Sequence, residues 1–259
     1  MAATGTADGL AGRVALVTGA SAGIGAATAR ALAAAGMAVM LGARRAERLA
    51  SVCDQIRAAG GEADWRATDL RDPGEVDALV DAAARRWGRL DALVNNAAVG
   101  AVGPVAEGDL EDWRAILETN ILATMVACRA ALRHMLPRGQ GDILNVGSAS
   151  AHEPWPHLAA YAASKAAVVA FSRSLRAEVA AQGVRVMTIE IHNVQGTDFA
   201  SGFDPARLPA AVARWIEAGV LNPKAPSIAP ADVARAIVFQ LSQPPPASVH
   251  DLVIRSREN

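Results

Sequence analysis

The chain of 259 residues lacks several features that would point to particular partners. Its 25 basic residues are balanced by 26 acidic ones, so no excess of positive charge predicts binding to nucleic acid or to an anionic membrane. Two cysteines, Cys53 and Cys128, are too few for a disulfide framework or a cysteine-rich metal site, and they fit a reducing compartment. The sequence has no signal-peptide pattern and no uninterrupted apolar run of about 18 residues. We therefore expect a cytoplasmic protein with no metal site and with neither nucleic acid nor a membrane as partner.

Tyrosine and lysine are scarce. The single tyrosine is Tyr161, and only Lys165 and Lys224 among the basic residues are lysines. In a helix, the spacing of four between Tyr161 and Lys165 puts the phenol and the ammonium group on one face. The ammonium group is then expected to favour the phenolate and to lower the pKa of the phenol. Such a pair suits proton exchange with an alcohol or carbonyl oxygen near neutral pH.

Short apolar runs alternate with helical patterns along the chain. Continuous apolar strands between helices indicate a parallel sheet covered on both faces, so we predict a single α/β domain of the doubly wound type with a seven-stranded parallel sheet. A continuous helix is predicted from about Leu110 to Met135. Residues 1–12 are small and polar and are expected to form a loose N-terminal arm. Residues 193–227, rich in glycine and proline, interrupt the pattern and are expected to form a substrate loop or lid.

A glycine-rich turn follows the first predicted strand. Thr18–Gly25 reads T-G-A-S-A-G-I-G between a strand and a helix, where a Rossmann dinucleotide-binding fold places the pyrophosphate. Glycines permit the tight turn and close backbone approach, and the helix N-terminus supplies N–H groups and a positive dipole. The alternative is a merely tight turn, which this spacing and context disfavour. The residues predicted to contact the cofactor here are Gly19, Ser21, Ala22, Gly23, Ile24 and Gly25.

The end of the second strand indicates which dinucleotide binds. NAD-binding folds usually have an acidic residue there, whereas this chain reads Gly42-Ala43-Arg44-Arg45. Because arginine pairs bidentately with a 2′-phosphate, NADP(H) is favoured, with Arg44 as the expected ligand and Arg45 as the start of a solvated helix. After the third strand, Asp69 and Leu70 are placed to meet the adenine; alternatively, Asp69 caps the next helix.

Two further polar residues complete a candidate catalytic group. Ser148 follows the fifth predicted strand, thirteen residues before Tyr161, and is placed to hold the same substrate oxygen. Asn120, a poor helix former inside a long predicted helix, is placed to carry a water-linked proton path to Lys165. Each residue alone has an ordinary structural explanation, but together with the glycine turn they indicate proton-transfer chemistry.

These motifs resemble those of the short-chain dehydrogenase/reductase family over nearly the whole chain. The matching elements are the glycine turn, Asp69, N-N-A at Asn95–Ala97, Asn120, Ser148 and Y-x-x-x-K at Tyr161 and Lys165. The resemblance implies an NADP(H)-dependent enzyme that interconverts a carbonyl and an alcohol, and a homotetramer or homodimer. The implied catalytic roles are acid/base for Tyr161, substrate positioning for Ser148, nicotinamide-ribose binding for Lys165 and proton relay for Asn120. The cofactor contacts that it adds are Asn96, Ala97, Tyr161, Val194 and Thr197.

The chain departs from the family pattern at two places. Ala98 replaces a glycine after N-N-A, and Ile191-His192 stands where the family has Pro-Gly. A β-branched residue and a histidine lack the conformational freedom of glycine. His192 is therefore either an extra acid/base or substrate ligand in the pocket, or a local replacement with altered loop geometry. Ile191-His192 motivates one alternative to the reductase, a redox-neutral isomerase, dehydratase or cyclase. A second alternative, from another class, is a catalytically silent NADP(H)-binding protein, against which the intact Ser148, Tyr161 and Lys165 argue.

The substrate side of the site is less defined by sequence. His152 and Trp155 follow Ser148, where the family lines its substrate pocket, although loop packing explains them equally well. Gly196-Thr197-Asp198-Phe199 and Ala229–Val233 resemble the branch that acts on small 3-hydroxy acids such as serine, or on clavulanate-type aldehydes. We therefore expect a small polar substrate.

Overall fold

A computed structural model describes residues 9–245 and 247–257. Strands and helices alternate over this range. The strands are β1 (Val14–Thr18), β2 (Ala38–Ala43), β3 (Glu62–Ala67), β4 (Ala92–Asn95), β5 (Gly141–Ser148), β6 (Val184–Ile191) and β7 (Asp251–Ile254). The α-helices are α1 (Gly23–Ala34), α2 (Ala46–Ala58), α3 (Pro73–Trp87), α4 (Leu110–Leu117), α5 (Ala123–Met135), α6 (Ala159–Val179), α7 (Leu208–Glu217) and α8 (Pro230–Leu241).

The strands of the described residues form one seven-stranded sheet in the order β3-β2-β1-β4-β5-β6-β7. Every neighbouring pair is parallel. One apolar cluster joins α1, α2 and α8 to one face of the sheet, and a second joins α3, α5 and α6 to the other. The predicted doubly wound α/β fold with a seven-stranded parallel sheet is confirmed. Strand order reverses between β1 and β4, and such a switch point leaves a crevice at the carboxyl ends of the strands.

Local sequence explains several element bounds. The central strands β1, β2 and β4 are buried at every residue, as expected where helices cover both faces. The ends of helix α3 are encoded locally: the Asp72 carboxylate accepts bonds from the N–H groups of Gly74 and Glu75, at 2.7 and 3.2 Å, and Gly88 ends the helix at φ 71°.

The predicted N-terminal arm lies mostly outside the described residues, and one expectation about the helices needs correction. Of residues 9–12, Leu10 is fully buried, and the Gly12 N–H donates to Gly36 O at 3.0 Å. The predicted continuous helix is interrupted, because a π-helical turn at Glu118–Leu122 separates α4 from α5.

One helical run among the described residues, Leu110–Arg138, is long and apolar enough by composition to cross a membrane. Half of its most apolar stretch is buried inside the structure. Its α5 portion supplies Ala127, Ala130 and Ala131 to the cluster beneath the sheet. The run is therefore a core helix.

The segment between β6 and α8 is mostly irregular, as predicted. It contains a 3₁₀ turn at Phe199–Gly202 and the helix α7. Its apolar residues form a third cluster with Leu158 and Tyr161 of the α6 region. This packing places the segment over the carboxyl end of the sheet.

Candidate active site

A cleft of about 1020 Å³ opens at the carboxyl ends of the strands. Most of the residues predicted from sequence to bind a cofactor or to catalyse a reaction line it. They are Gly19, Ser21, Ala22, Gly23, Ile24, Arg44, Asp69, Leu70, Asn96, Ala97, Ser148, Tyr161, Lys165, Val194 and Thr197. Gly25, Asn120 and His152 are not among the lining residues, whereas Trp155 and His192 are.

The glycine turn has the geometry of a phosphate cradle. Gly25 packs so closely on the turn that a Cβ there would lie 2.3 Å from the Gly19 carbonyl oxygen. Gly19 has φ +66°, and a Cβ on it would lie 2.8 Å from the Ala97 Cα. Helix α1 starts after Ala22, which offers no capping side chain, and the first turn contains no acidic residue. Backbone N–H groups with a positive dipole thus face the cleft, so these residues fit a bound pyrophosphate.

Arg45 begins α2 at its N-cap position, as expected, and its half-exposed side chain also lines the cleft. Its guanidinium donates to Ser21 Oγ at 2.9 Å and to Asp198 Oδ2 at 2.6 Å. Arg48 donates to the same Asp198 oxygen at 2.6 Å. Asp198 belongs to the segment after β6, so these ion pairs join that segment to the N-terminus of α2. Arg44 lines the cleft as well, so two guanidinium groups lie at the end of β2.

Asp69 does not cap the following helix, because Asp72 takes that position. The Asp69 carboxylate instead pairs with Arg71 at 2.7 Å. This hydrogen-bonded pair lowers the pKa of Asp69 to about 2. Asp69 is therefore an anion beside the end of β3, next to Leu70 in the cleft wall.

Tyr161 is 8% exposed, and burial raises the pKa of its phenol to about 12. A hydrogen bond with Ser148 acts in the opposite direction. The lowered pKa expected from the spacing to Lys165 is therefore wrong for the protein by itself, because loss of hydration outweighs the hydrogen bond with Ser148. At neutral pH the phenol carries its proton and is ready to donate it.

Lys165 approaches Tyr161 but has a different direct partner. Its Nζ donates to Val146 O at 2.8 Å and lies 5.8 Å from the centroid of the tyrosine ring. Burial lowers the pKa of Lys165 to about 8. The ammonium group thus lies beneath the phenol, at the floor of the cleft.

The free energy of unfolding should rise with pH because of Lys165. Its pKa falls from 10.5 to about 8 on folding, so between these values the unfolded chain binds more protons than the folded one. Between about pH 7 and about pH 9.5 we expect a gain of about 2 kcal/mol. Lys165→Met should remove this gain and be more stable than the wild type at neutral pH. Denaturant unfolding at both pH values measures the free energy of unfolding. Lys224→Met, which changes an exposed lysine, is the control and should show the same gain as the wild type. If Lys165→Met gained as much stability between these pH values as the wild type, the assignment to Lys165 would be contradicted.

Asn120 lies in the π-helical turn with its side chain fully engaged. Its Oδ1 accepts the Val99 N–H, and its Nδ2 donates to Val99 O, both at 2.9 Å. The same Nδ2 donates to Ser164 Oγ at 3.0 Å. The amide therefore fixes the loop after β4 against α6, and the structure does not bring it onto Lys165. The predicted relay stays a prediction.

Ser150 was missed by the sequence reasoning. It is buried, it lines the cleft, and its Oγ donates to Ser148 Oγ at 3.0 Å. Its backbone N–H also donates to Ser148 Oγ, at 3.2 Å. Because Ser148 accepts two bonds, its own hydrogen remains for Tyr161 or a substrate oxygen. No sequence motif marks Ser150; only its spacing of two from Ser148 does so.

His192 is buried at the cleft wall, within a charged network. Its Nε2 lies 3.6 Å from a Glu153 carboxylate oxygen, and the other oxygen of Glu153 lies 2.5 Å from Arg255. The ring centroid of Trp155 is 5.4 Å away. Burial lowers the pKa of His192, against the opposing effect of Glu153. A neutral imidazole therefore faces the cleft.

The backbone turn after β6 is made by Asn193 rather than by a glycine. Asn193 has φ 35°, in the left-handed region that asparagine tolerates better than most residues. The conformational freedom missing at Ile191-His192 is thus supplied one residue later. His152, by contrast, pairs its Nε2 with Glu190 at 3.0 Å, and the structure does not bring it into the cleft.

Phe199 covers the phenol. The ring centroids of Phe199 and Tyr161 are 4.8 Å apart, and Phe203 packs edge-on against Phe199 at 5.0 Å. Gly100 allows this approach, because a Cβ on it would lie 2.8 Å from Phe199 Cζ. Sequence gave no reason to place these rings beside Tyr161, since they lie in an irregular segment about forty residues further along.

A glycine cradle, two arginines and a Ser-Tyr-Lys group at the switch point of a parallel sheet define a dinucleotide-dependent oxidoreductase. The short chain dehydrogenase family model matches residues 13–207. Cis-4-hydroxycyclohexanecarboxylate dehydrogenase of Sinomonas cyclohexanicum is 39% identical over 236 residues, covering 91% of each protein. The chain therefore belongs to the short-chain dehydrogenase family, and it is an enzyme that acts on CH–OH groups.

The chain is also similar to a longer reductase and to a solved dehydrogenase structure. Glycine betaine reductase ATRR of Emericella nidulans is 34% identical over 96% of the chain, but the chain spans only 19% of that longer protein. The crystal structure of a short-chain dehydrogenase from Burkholderia cenocepacia in complex with NADP superposes with a TM-score of 0.82 at 33% identity, covering 95% of this chain and 98% of that one.

Proposed function

We propose that the protein is an NADP(H)-dependent oxidoreductase that interconverts a carbonyl and a secondary alcohol, with Tyr161 as the acid/base. One observation carries the proposal. The protonated, buried phenol of Tyr161 lies with Ser148 and Lys165 in the same cleft as the glycine turn that fits a pyrophosphate. Purified protein mixed with NADPH and a carbonyl panel should lose absorbance at the nicotinamide band. Product formed without NADPH loss would favour a redox-neutral enzyme, and NADPH binding without any product would favour a silent binding protein.

Each residue has a chemical task in this proposal. When bound, the nicotinamide supplies or accepts the hydride. Ser148, which accepts two bonds from Ser150, donates its hydrogen to the substrate oxygen and orients it. Tyr161 then gives its proton to that oxygen in reduction and takes it back in oxidation. Lys165 lies below the ring, where its charge favours the phenolate that remains.

The two arginines at the end of β2 support the choice of NADP(H). Neither Arg44 nor Arg45 has an acidic neighbour on β2 that would bind ribose hydroxyls. Arg45 already donates to a hydroxyl at the glycine turn, which shows that its guanidinium reaches that part of the cleft. The similar Burkholderia cenocepacia dehydrogenase was solved with NADP.

Replacing both arginines, Arg44→Ser with Arg45→Ser, should weaken NADPH binding about 100-fold and leave NADH binding unchanged, because only NADPH carries the 2′-phosphate. Cofactor titration followed by fluorescence measures both constants. Arg48→Ser is the matched control, since it breaks an ion pair with Asp198 without removing a lining arginine. Equal losses for NADPH and NADH in the double variant would contradict the assignment.

We also propose that the chain self-associates through α4 and α5. Leu110, Leu117, Leu122 and Met125 are between 42% and 62% exposed. Their spacings of seven, five and three residues correspond to two α-turns, one π-turn and about one α-turn, so they share one side. A dimer or tetramer built on this face should sediment as such at micromolar concentration, and a monomer would contradict the proposal.

The cytoplasm is the compartment we propose. Cys53 and Cys128 are both free and buried, and burial raises the pKa of both thiols. Neither thiol is placed for disulfide formation, which suits a reducing environment. Fractionation of cells that produce the protein tests the compartment, and recovery of the protein outside the cytoplasmic fraction would contradict the proposal.

A further inference from the structure

Beyond Tyr161 the cleft continues into a space that we call the apolar chamber. Its walls are Trp155, Leu158, Phe199, Phe203, Val212 and Trp215. Three of these residues, Leu158, Phe203 and Trp215, are less than 10% exposed and belong to one apolar cluster with Tyr161. The chamber is thus continuous with the ring that carries the reacting phenol.

The chamber walls are fixed by contacts outside the cleft. Trp215 of α7 donates its indole N–H to Pro156 O at 2.6 Å. Trp155 packs edge-on against Trp215, with ring centroids 5.5 Å apart, and against His192 on its other side. The walls therefore come from α7 and from the loop before α6, and each part supports the other.

A ring already occupies the space next to the phenol. Phe199 lies 4.8 Å from Tyr161, tilted by 51°, on a 3₁₀ turn rather than on a long element. The contact shows that a six-membered ring has favourable neighbours at this position, since Tyr161 is on one side and Phe203 on the other. Binding of a substrate ring at this place requires Phe199 to rotate away, because its ring fills the position now.

The described part of the chain offers no cation at the chamber end of the cleft. The cations that line the cleft are Arg44, Arg45, Arg71 and Lys165. The three arginines lie after β2 and β3, and Lys165 is bonded to Val146 O beneath the phenol. His192 faces Glu153, whose carboxylate Arg255 neutralises. A substrate carboxylate placed in the chamber would lose its hydration without gaining an ionic partner.

We propose that the substrate is an uncharged, ring-bearing secondary alcohol or ketone whose apolar body fills the apolar chamber. This inference rests on the proposed function and narrows its substrate class. This substrate class replaces the small polar substrate that the sequence suggested. Apolar substrate surface buried against the aromatic walls stabilises the complex, whereas a small hydroxy acid would leave the chamber unfilled. In reduction, the ketone carbon receives a hydride and its oxygen receives the proton of Tyr161, which yields the alcohol and NADP⁺.

The test compares matched carbonyl compounds with NADPH. We expect kcat/KM for 4-methylcyclohexanone to exceed that for succinate semialdehyde by at least about 100-fold, because several more apolar carbons are buried. It should also exceed that for 4-oxocyclohexanecarboxylate, which differs by a charged group in place of the methyl, by at least about 10-fold. Preference for either carboxylate would overturn the substrate class while leaving the proposed function intact.

Variants and a binding measurement separate the two claims. Trp155→Ala should lower kcat/KM for 4-methylcyclohexanone about 10-fold, mainly through KM, and change that for propanal less than about twofold. Trp113→Ala, a partly buried tryptophan outside this cleft, should change neither. Quenching of tryptophan fluorescence by decahydro-2-naphthol, compared with 3-hydroxypropionate, reports on the chamber without turnover. Tighter binding of 3-hydroxypropionate would overturn the inference, whereas selective binding of the ring alcohol without turnover of any carbonyl would count against the proposed function alone.

Discussion

Tyr161→Phe should lower kcat about 10³-fold in both directions of the reaction. The substitution removes one hydroxyl group and keeps the ring, so the contact with Phe199 and the apolar packing persist. What is lost is the proton donor, whose pKa of about 12 keeps it protonated until the carbonyl oxygen becomes basic. No other tyrosine exists in the chain to replace it. Initial rates with NADPH and a cyclic ketone give the measurement.

The control for this variant is the cofactor itself. The Kd for NADPH should stay within about threefold of the wild type, because the phosphate cradle and the arginines lie at the other end of the cleft. Loss of the hydrogen bond with Ser148 should lower the free energy of unfolding by no more than about 1.5 kcal/mol, and thermal unfolding checks that the variant is folded. Turnover by Tyr161→Phe at a rate close to that of the wild type would exclude Tyr161 as the acid/base.

Gly25→Ala should abolish NADPH binding, with at least about a 100-fold rise in Kd. The new Cβ would lie 2.3 Å from the Gly19 carbonyl oxygen and 2.6 Å from Asn96 Nδ2. The first neighbour is backbone, which cannot rotate away as a side chain would, so the whole turn must shift. Backbone N–H groups then no longer point at the pyrophosphate. Fluorescence titration with NADPH measures the loss.

A second alanine substitution tests whether the effect is local. At Gly9 a Cβ would meet its nearest atom, Ser242 O, at an ordinary contact distance of 3.5 Å. Gly9→Ala should therefore bind NADPH as the wild type does. Far-ultraviolet circular dichroism of Gly25→Ala distinguishes a displaced turn from an unfolded chain. If a folded Gly25→Ala bound NADPH normally, the cradle assigned to this turn would be wrong.

Local signals account for the parts that sequence predicted well. Apolar continuity indicated the buried strands, and β1, β2 and β4 are buried at every residue. The π-turn around Asn120 was not predictable, because its stabilising partners Val99 and Ser164 come from other elements. The contacts of Arg45 were not predictable for the same reason, since Ser21 and Asp198 are distant in sequence.

The sequence by itself determined the fold class and marked the glycine turn and the Ser-Tyr-Lys group, because each is encoded by neighbours along one strand, turn or helix. Tertiary structure decided the state of these groups and the shape of the space they serve. Burial raised the pKa of Tyr161, against the prediction from its spacing to Lys165, because loss of hydration depends on atoms from several elements. Aromatic rings from α7 and from the segment after β6 likewise met only on folding. The substrate preference that we propose therefore follows from packing between distant segments, which periodicity and motif spacing do not encode.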